Sequence, residues 1–140
     1  MGDGFDTAAL ARMLHSMPPE ELAEGVRVNR DALLGQAFAR FGDRLSAVGR
    51  RQRGVIKWRI SGARGGGHDR WFVVLRDGSC ESGRDLDLRP RVTFTVGPLD
   101  FLRLVTGNAD PARLVLSRRL RIRGDLLWAA RMPRFFSIPR

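Results

Sequence analysis

The residues best equipped for chemistry in this 140-residue chain are few and scattered. Its two histidines, His15 and His68, sit in different structural contexts, and its one cysteine, Cys80, lies on a strand expected across a hairpin from His68. That proximity makes a thiol–imidazole pair conceivable, but Glu81 beside Cys80 would raise the thiol pKa, so a structural cysteine is the better reading. The run Gly62 to Gly67 has the glycines of a phosphate loop without the Lys-Ser/Thr ending or the helix that must follow. A flexible hairpin loop explains it. Asp85 and Asp87, two apart before a proline, read as solvated turn acids. No His/Cys/Asp cluster has metal-ligand spacing. The expectation is a protein that is not an enzyme, with no catalytic residues, no metal site and no cofactor.

What remains is apolar. In "DLLWAARMPRFF" (Asp125 to Phe136) apolar residues cover nearly the whole helical circumference, interrupted only by Arg131 and Arg134. A surface helix is apolar on one stripe, so this one needs a second cover besides its own domain. A partner chain, a membrane surface or a bound apolar ligand would each supply it.

Composition narrows the setting. A chain of this length makes one domain with a real core, and 43% hydrophobic residues argue against wholesale disorder. A lone cysteine excludes an intramolecular disulfide framework. No secretory signal is visible at "MGDGFDTAAL", and no apolar run approaches a membrane span, so a cytoplasmic protein is the expectation. The formal charge is +10, and of 25 basic residues only Lys57 is a lysine, a skew that suits a GC-rich genome. From Arg89 onward 11 arginines face only Asp100, Asp110 and Asp125. Solvated arginines are the first reading of such a surface and attraction to anionic lipid the second; without interleaved stacking aromatics or a reading helix, nucleic acid is not expected.

The elements that must position these residues follow from pattern. Short helices are expected from Thr7 to Met17 and after Pro19. A better one runs from Asn29, as its cap, to Phe41, with Leu33, Leu34, Ala37, Phe38 and Phe41 in helical repeat. Gly42 to Gly54 reads as an exposed connection. Alternation then takes over in "VIKWRIS", "RWFVVLR", "SCESG" and "VTFTV", with Asp77-Gly78 as a hairpin turn, giving a four-stranded antiparallel meander over Val55 to Val96. A helix from Pro98 to Thr106 ends at Gly107, a helical turn starts at Pro111, and "RLRIRG" is a fifth strand. Asp125 caps the last helix and Pro133 bends or ends it. The fold class is α+β, a mostly antiparallel sheet of five strands with helices gathered on one face.

The order "VTFTV…DFLRLVTGNADP…L…SRRLRIRGDLLWAARMPRFF" resembles the sterol carrier protein 2 family of lipid-binding domains. The corresponding pieces are Val92 to Thr95, Asp100 to Gly107, Asp110-Pro111, Leu120 to Asp125 and Leu126 to Phe136. The hairpin "DRWFVVLRDGSC" also looks like the family's central strands. The resemblance spans roughly Asp31 to Ile138, as a domain over 31–140 behind a helical extension over 1–30. It implies a hydrophobic cavity between sheet and helices that binds fatty acid, fatty acyl-CoA, phospholipid or sterol, with lipid transfer or presentation as the function. Carried onto this chain, the wall would comprise Phe94, Phe101, Leu102, Val105, Leu114, Leu120, Ile122, Leu126, Leu127, Ala130, Met132 and Phe135. Arg118, Arg119, Arg131 and Arg134 are the candidates for holding an anionic headgroup at the mouth. Arg118 stands where the family has a small residue or glycine, and the ending "SIPR" is not a peroxisomal tripeptide, which favours a bacterial, stand-alone member. The partners expected are an apolar lipid, a transient anionic membrane surface, and a second copy or an enzyme. The competing reading is a protein-interaction or dimerisation domain accessory to an enzyme, its C-terminal helix covered by a partner chain.

Overall fold

A computed structural model of the chain describes Arg12 and residues 16–137. The helix expected from Thr7 to Met17 falls largely outside the described residues, as does His15.

Helix α1 (Pro19–Val28) opens on proline with Glu20 and Glu21 in its first turn, and buries Leu22 and Val26. Asn29 does not cap the next helix. Its Nδ2 donates to the Gly25 carbonyl at 2.9 Å, closing α1 instead. Its backbone (φ −105°, ψ 21°) lacks the extended shape that aims a cap side chain at the following N–H groups. Helix α2 (Arg30–Ala39) follows at once and buries Leu34, Ala37 and Phe38.

Strands β1 (Gly54–Ile60), β2 (Asp69–Arg76), β3 (Ser79–Arg84), β4 (Val92–Val96) and β5 (Leu120–Gly124) form one sheet in the order β3-β2-β1-β4-β5. Asp77 and Gly78 both take positive φ (52° and 76°), as a two-residue hairpin turn requires. The meander holds for β1 to β3 only. β4 pairs parallel with β1, Trp58 opposite Phe94, and β5 pairs antiparallel with β4. The expected fourth meander strand is thus corrected to a crossover strand. Alternation fixes which face of "VTFTV" is buried but names neither neighbour nor direction. The connection after β3 brings Leu86 against Gly83, the cross-strand partner of buried Phe72. It therefore passes over the outer face of the sheet, opposite Ile56, Trp58 and Ile60.

On the inner face lie α3 (Pro98–Val105), α4 (Pro111–Leu116) and α5 (Leu126–Arg131). The Asp110 carboxylate accepts from the Ala112 N–H at 3.1 Å and that of Asp125 from the Trp128 N–H at 3.0 Å, so both aspartates cap as their local sequence demands. α4 ends with the Arg119 N–H on the Leu114 carbonyl and the Arg118 N–H on that of Val115, a pattern that puts Arg118 at φ 63°. Beyond α5, Met132–Arg134 form a tighter turn at Pro133.

The segment Gly42 to Gly54 is more than the exposed connection expected. Ser46 donates through Oγ to the Arg134 carbonyl at 2.6 Å and through its N–H to that of Phe135 at 2.8 Å, while Leu45 bridges Phe136. Gly49 is buried there, and a Cβ on it would collide with the Phe135 carbonyl. This seat fastens the last turn of the chain to the domain.

Candidate functional site

Between sheet and helices lies a layer of rings. Phe38 of α2 stacks on Trp71 of β2 and on Phe101 of α3, each at 4.7 Å between centroids. Trp58 of β1 stacks on Phe94 of β4 at 4.5 Å and meets Phe101 edge-on at 5.1 Å. Phe136 reaches the layer through Phe41, at 5.1 Å. Aromatic pairs in these geometries add about 0.5–1.5 kcal/mol each beyond their burial. The layer is nonetheless polar at two points. The indole N–H groups of Trp58 and Trp71, side chains 4% and 9% exposed, have no hydrogen-bond partner among the described residues. A buried donor without an acceptor costs about 1–3 kcal/mol.

Beside the layer, at the edge strand β5, the surface is indented. An open groove of about 520 Å³ runs between the end of α4 and the start of α5, lined by Val115, Arg118, Leu120, Arg121, Ile122 and Leu126. Ile122 is half-buried at its floor, beside Phe94.

The expected wall residues divide into two groups. Phe94, Phe101, Leu102, Leu114, Leu120, Met132 and Phe135 are buried together in the core, with Val105 and Ile122 packed against it. Leu126, Leu127 and Ala130 instead face solvent, Leu127 being 82% exposed. Helix α5 has six residues and covers the domain with Trp128 and Ala129, while Met132 of the next turn continues that buried side. Of the four arginines, Arg119 is taken by Asp100 in a two-point ion pair, its Nε on Oδ2 at 3.0 Å. Arg118 lines the groove and has no partner among the described residues. Arg131 and Arg134 are exposed on and after α5. Trp58, Trp71, Phe38 and Val115 belong to the layer or to the groove beside it and were absent from the sequence-derived set; the alternation of "VIKWRIS" and "RWFVVLR" was the signal for the two tryptophans.

The catalytic candidates are dispersed. Cys80 pairs with Leu75, seven residues along the chain from His68, which places the two roughly 20 Å apart. Burial first and Glu81 second push the Cys80 thiol up to about 11, the reverse of an activated nucleophile. Gly62, Gly65 and Gly66 take positive φ in the exposed β1–β2 loop. Among the described residues no group of three or more His, Cys, Asp or Glu side chains is placed to hold a metal ion, and no helix is long and apolar enough to cross a membrane.

Two ionic clusters brace the layer. At one end Asp69 accepts from Arg30 Nε and Arg84 Nη2, each at 2.8 Å, while Arg30 Nη2 donates to the Ile60 carbonyl at 2.8 Å. At the other, Trp128 donates through Nε1 to Gln52 Oε1 at 3.0 Å beneath the guanidinium of Arg91.

Comparison with known proteins agrees with this architecture. The model of the SCP-2 sterol transfer family matches residues 35–137. Sterol carrier protein 2 of Bos taurus is 21% identical over 123 residues, which are 88% of this chain but only 22% of that relative. The chain thus spans about a fifth of the curated relative it matches. The crystal structure of sterol carrier protein 2 like 2 from Aedes aegypti superposes with a TM-score of 0.57 at 23% identity, over 76% of this chain and 95% of that one. A stereoselective inverting sec-alkylsulfatase from Pseudomonas sp. superposes with a TM-score of 0.55 at 11% identity, over 69% of this chain and 15% of that one. These likenesses establish a shared fold.

Proposed function

The chain belongs to the SCP-2 sterol transfer family, and on that premise we propose that it holds one apolar lipid between sheet and helices and carries or presents it without chemistry of its own. The observation that supports this most is the pair of unpartnered indole N–H groups of Trp58 and Trp71 inside an otherwise apolar layer. A ligand with an apolar body and an oxygen acceptor satisfies both requirements of that space. Fatty acid, fatty acyl-CoA, phospholipid and sterol-like molecules all qualify. The ligand enters at the β5 groove, passes Ile122 and Leu126, and displaces rings of the layer; Arg118 at the groove, with Arg131 and Arg134 on α5 and its following turn, holds a carboxylate or phosphate outside. Residues 1–30 are an extension to that unit, although Leu22 and Val26 pack into its core.

Energetics explain why such a site is permissive. Burying an acyl chain gains ~0.8 kcal/mol per CH₂ relative to water. Relative to a bilayer, which is equally apolar, the gain nearly vanishes, so a carrier selects little by chain and more by headgroup.

Native mass spectrometry of the purified chain, followed by solvent extraction, tests the reading: a co-purifying lipid is expected, released on denaturation. A chain that is empty and also takes up no fluorescent fatty acid overturns it. The exposed pair Leu126 and Leu127 favours a second reading, an accessory domain whose α5 is covered by a partner chain. A dimer in sedimentation that Leu127→Glu dissociates and lipid leaves unchanged would favour that one.

A further inference from the structure

We infer that the rim made by the end of α4 and the start of α5 docks this protein onto anionic bilayers. Four aliphatic side chains stand out of the fold there: Val115 (41% exposed), Leu116 (83%), Leu126 (59%) and Leu127 (82%). Val115 and Leu126 line the same groove, and Leu116 and Leu127 are their immediate neighbours in the chain. Isolated exposed leucines need no explanation; two exposed pairs, each with one member at a shared groove, do.

The charge around them fits one occupant. Between Pro111 and Ser137 seven arginines accompany a single acid, Asp125, and one of the seven, Arg119, is taken by Asp100. That acid is bonded to Arg91 and to the Trp128 N–H, and so adds no free negative charge to the rim. Arg118 and Arg121 line the groove itself, and Arg131 follows one turn after Leu127. Arg118 is held in the left-handed region at φ 63°, which costs a residue with a side chain about 1–2 kcal/mol relative to the ordinary helical region. Short apolar side chains ringed by arginine are what seats a protein in the headgroup region of an anionic membrane. A protein partner would call for aromatic anchors at the centre of the patch, and this rim offers none. Docking here also places the groove against the source of its cargo. That consequence rests on the lipid-binding reading; the docking geometry does not.

The test is flotation of the full chain with vesicles of phosphatidylcholine mixed with phosphatidylglycerol, and with phosphatidylcholine alone, in low and high salt. The expected result is binding to the anionic vesicles only, weakened by salt. Leu116→Ser with Leu127→Ser leaves charge unchanged, and should cut binding on the order of tenfold or more. Arg118→Gly and Arg131→Ala should each cost about fivefold. Near-ultraviolet circular dichroism verifies that the variants keep the wild-type fold. Flotation with neither vesicle, equal binding to both, or binding indifferent to the leucine pair overturns the inference. So does a loss confined to self-association in sedimentation. Uptake of a fluorescent fatty acid in vesicle-free solution is measured alongside. Uptake without flotation overturns docking alone, and flotation without uptake upholds docking while the lipid-binding reading falls.

Discussion

The guanidinium of Arg91 lies 4.3 Å from the centre of the Trp128 ring, while its Nε bonds the Asp125 carboxylate at 3.0 Å. One side chain thus covers the face of the anchor of α5 and steadies the residue that caps it. Its Nη1 donates to the Arg53 carbonyl at 2.9 Å, tying both to the segment before β1. α5 is therefore fastened at its first turn, with its Leu126 and Leu127 edge left free.

Removing that clasp should loosen α5 measurably. Arg91→Ala loses a cation–π contact and the partner of a cap, so stability should fall by about 1–2 kcal/mol, or roughly 3–8 °C in Tm. Trp128→Ala should cost about 3–5 kcal/mol, because a fully buried ring leaves a cavity. Calorimetric melting checks both. An Arg91→Ala variant that melts within about 1 °C of wild type would remove the clasp from the account.

The same residues mark what pattern could and could not give. Asp110 and Asp125 were legible as caps because a cap acts on its own next turn. Asn29 was not, since the helix before it ends too close to leave an extended residue. Strand faces were legible from alternation, whereas the parallel pairing of Trp58 with Phe94 depends on a connection over the outer face that no period encodes. The all-round apolar α5 foretold an unusual surface without saying which side would be bare. The stack of Phe38 between Trp71 and Phe101 joins three elements far apart in sequence, so it appears only once they are packed.

Acid should unfold the protein through Asp69. Burial works to raise its carboxyl, but the hydrogen bond and charge of Arg30, then those of Arg84, overcome this and hold the pKa below the ordinary 3.8. Asp125 is lowered too, by the Trp128 N–H first and Arg91 second. A folded pKa below the unfolded one gives stability that is complete above the unfolded value and lost as pH falls through the folded one. Urea melts should therefore show no loss from these two groups between neutral pH and about pH 4, and a decline below. Asp69→Asn should be less stable than wild type at neutral pH, and the gap should narrow as pH falls below about 4. A gap that is constant across that range would contradict the role of its charge.

Cys80 should be inert. At about pH 8 a thiol of pKa about 11 has roughly a hundredfold less thiolate than one at the ordinary 9.0. Aromatic disulfide reagents should therefore label the folded chain about a hundred times more slowly than the chain in denaturant. Cys80→Ser should leave lipid uptake unchanged. Rapid labelling of the folded form would show that the thiol is exposed and activated.

Arg118→Gly should stabilise the fold. Glycine adopts the φ of 63° without strain, and the two backbone hydrogen bonds that close α4 need no side chain. Set against its greater entropy when unfolded, a net gain of about 0.5–1 kcal/mol is expected. A variant that melts higher yet binds anionic lipid less well separates folding from function at this one residue. A variant that melts lower would mean that the arginine packs usefully where it stands.

Trp58→Phe and Trp71→Phe test whether the ring layer is a finished core or a place kept for a ligand. In a finished core, exchanging indole for a smaller ring loses contacts and leaves a void, at about 1–2 kcal/mol. Here each exchange also removes a buried donor with no acceptor, which returns about 1–3 kcal/mol. The two effects oppose each other, so each variant should stay within about 1 kcal/mol of wild type. Affinity should behave differently. If the donors meet an oxygen of the lipid, losing one should weaken fatty-acid binding by roughly 2–10-fold, the worth of one net hydrogen bond. An alkane of equal length should bind both forms alike. Melting curves with a fluorescent fatty-acid titration and alkane competition give the three numbers. Stability that falls by more than about 3 kcal/mol with unchanged affinity would mark the two tryptophans as core and nothing else.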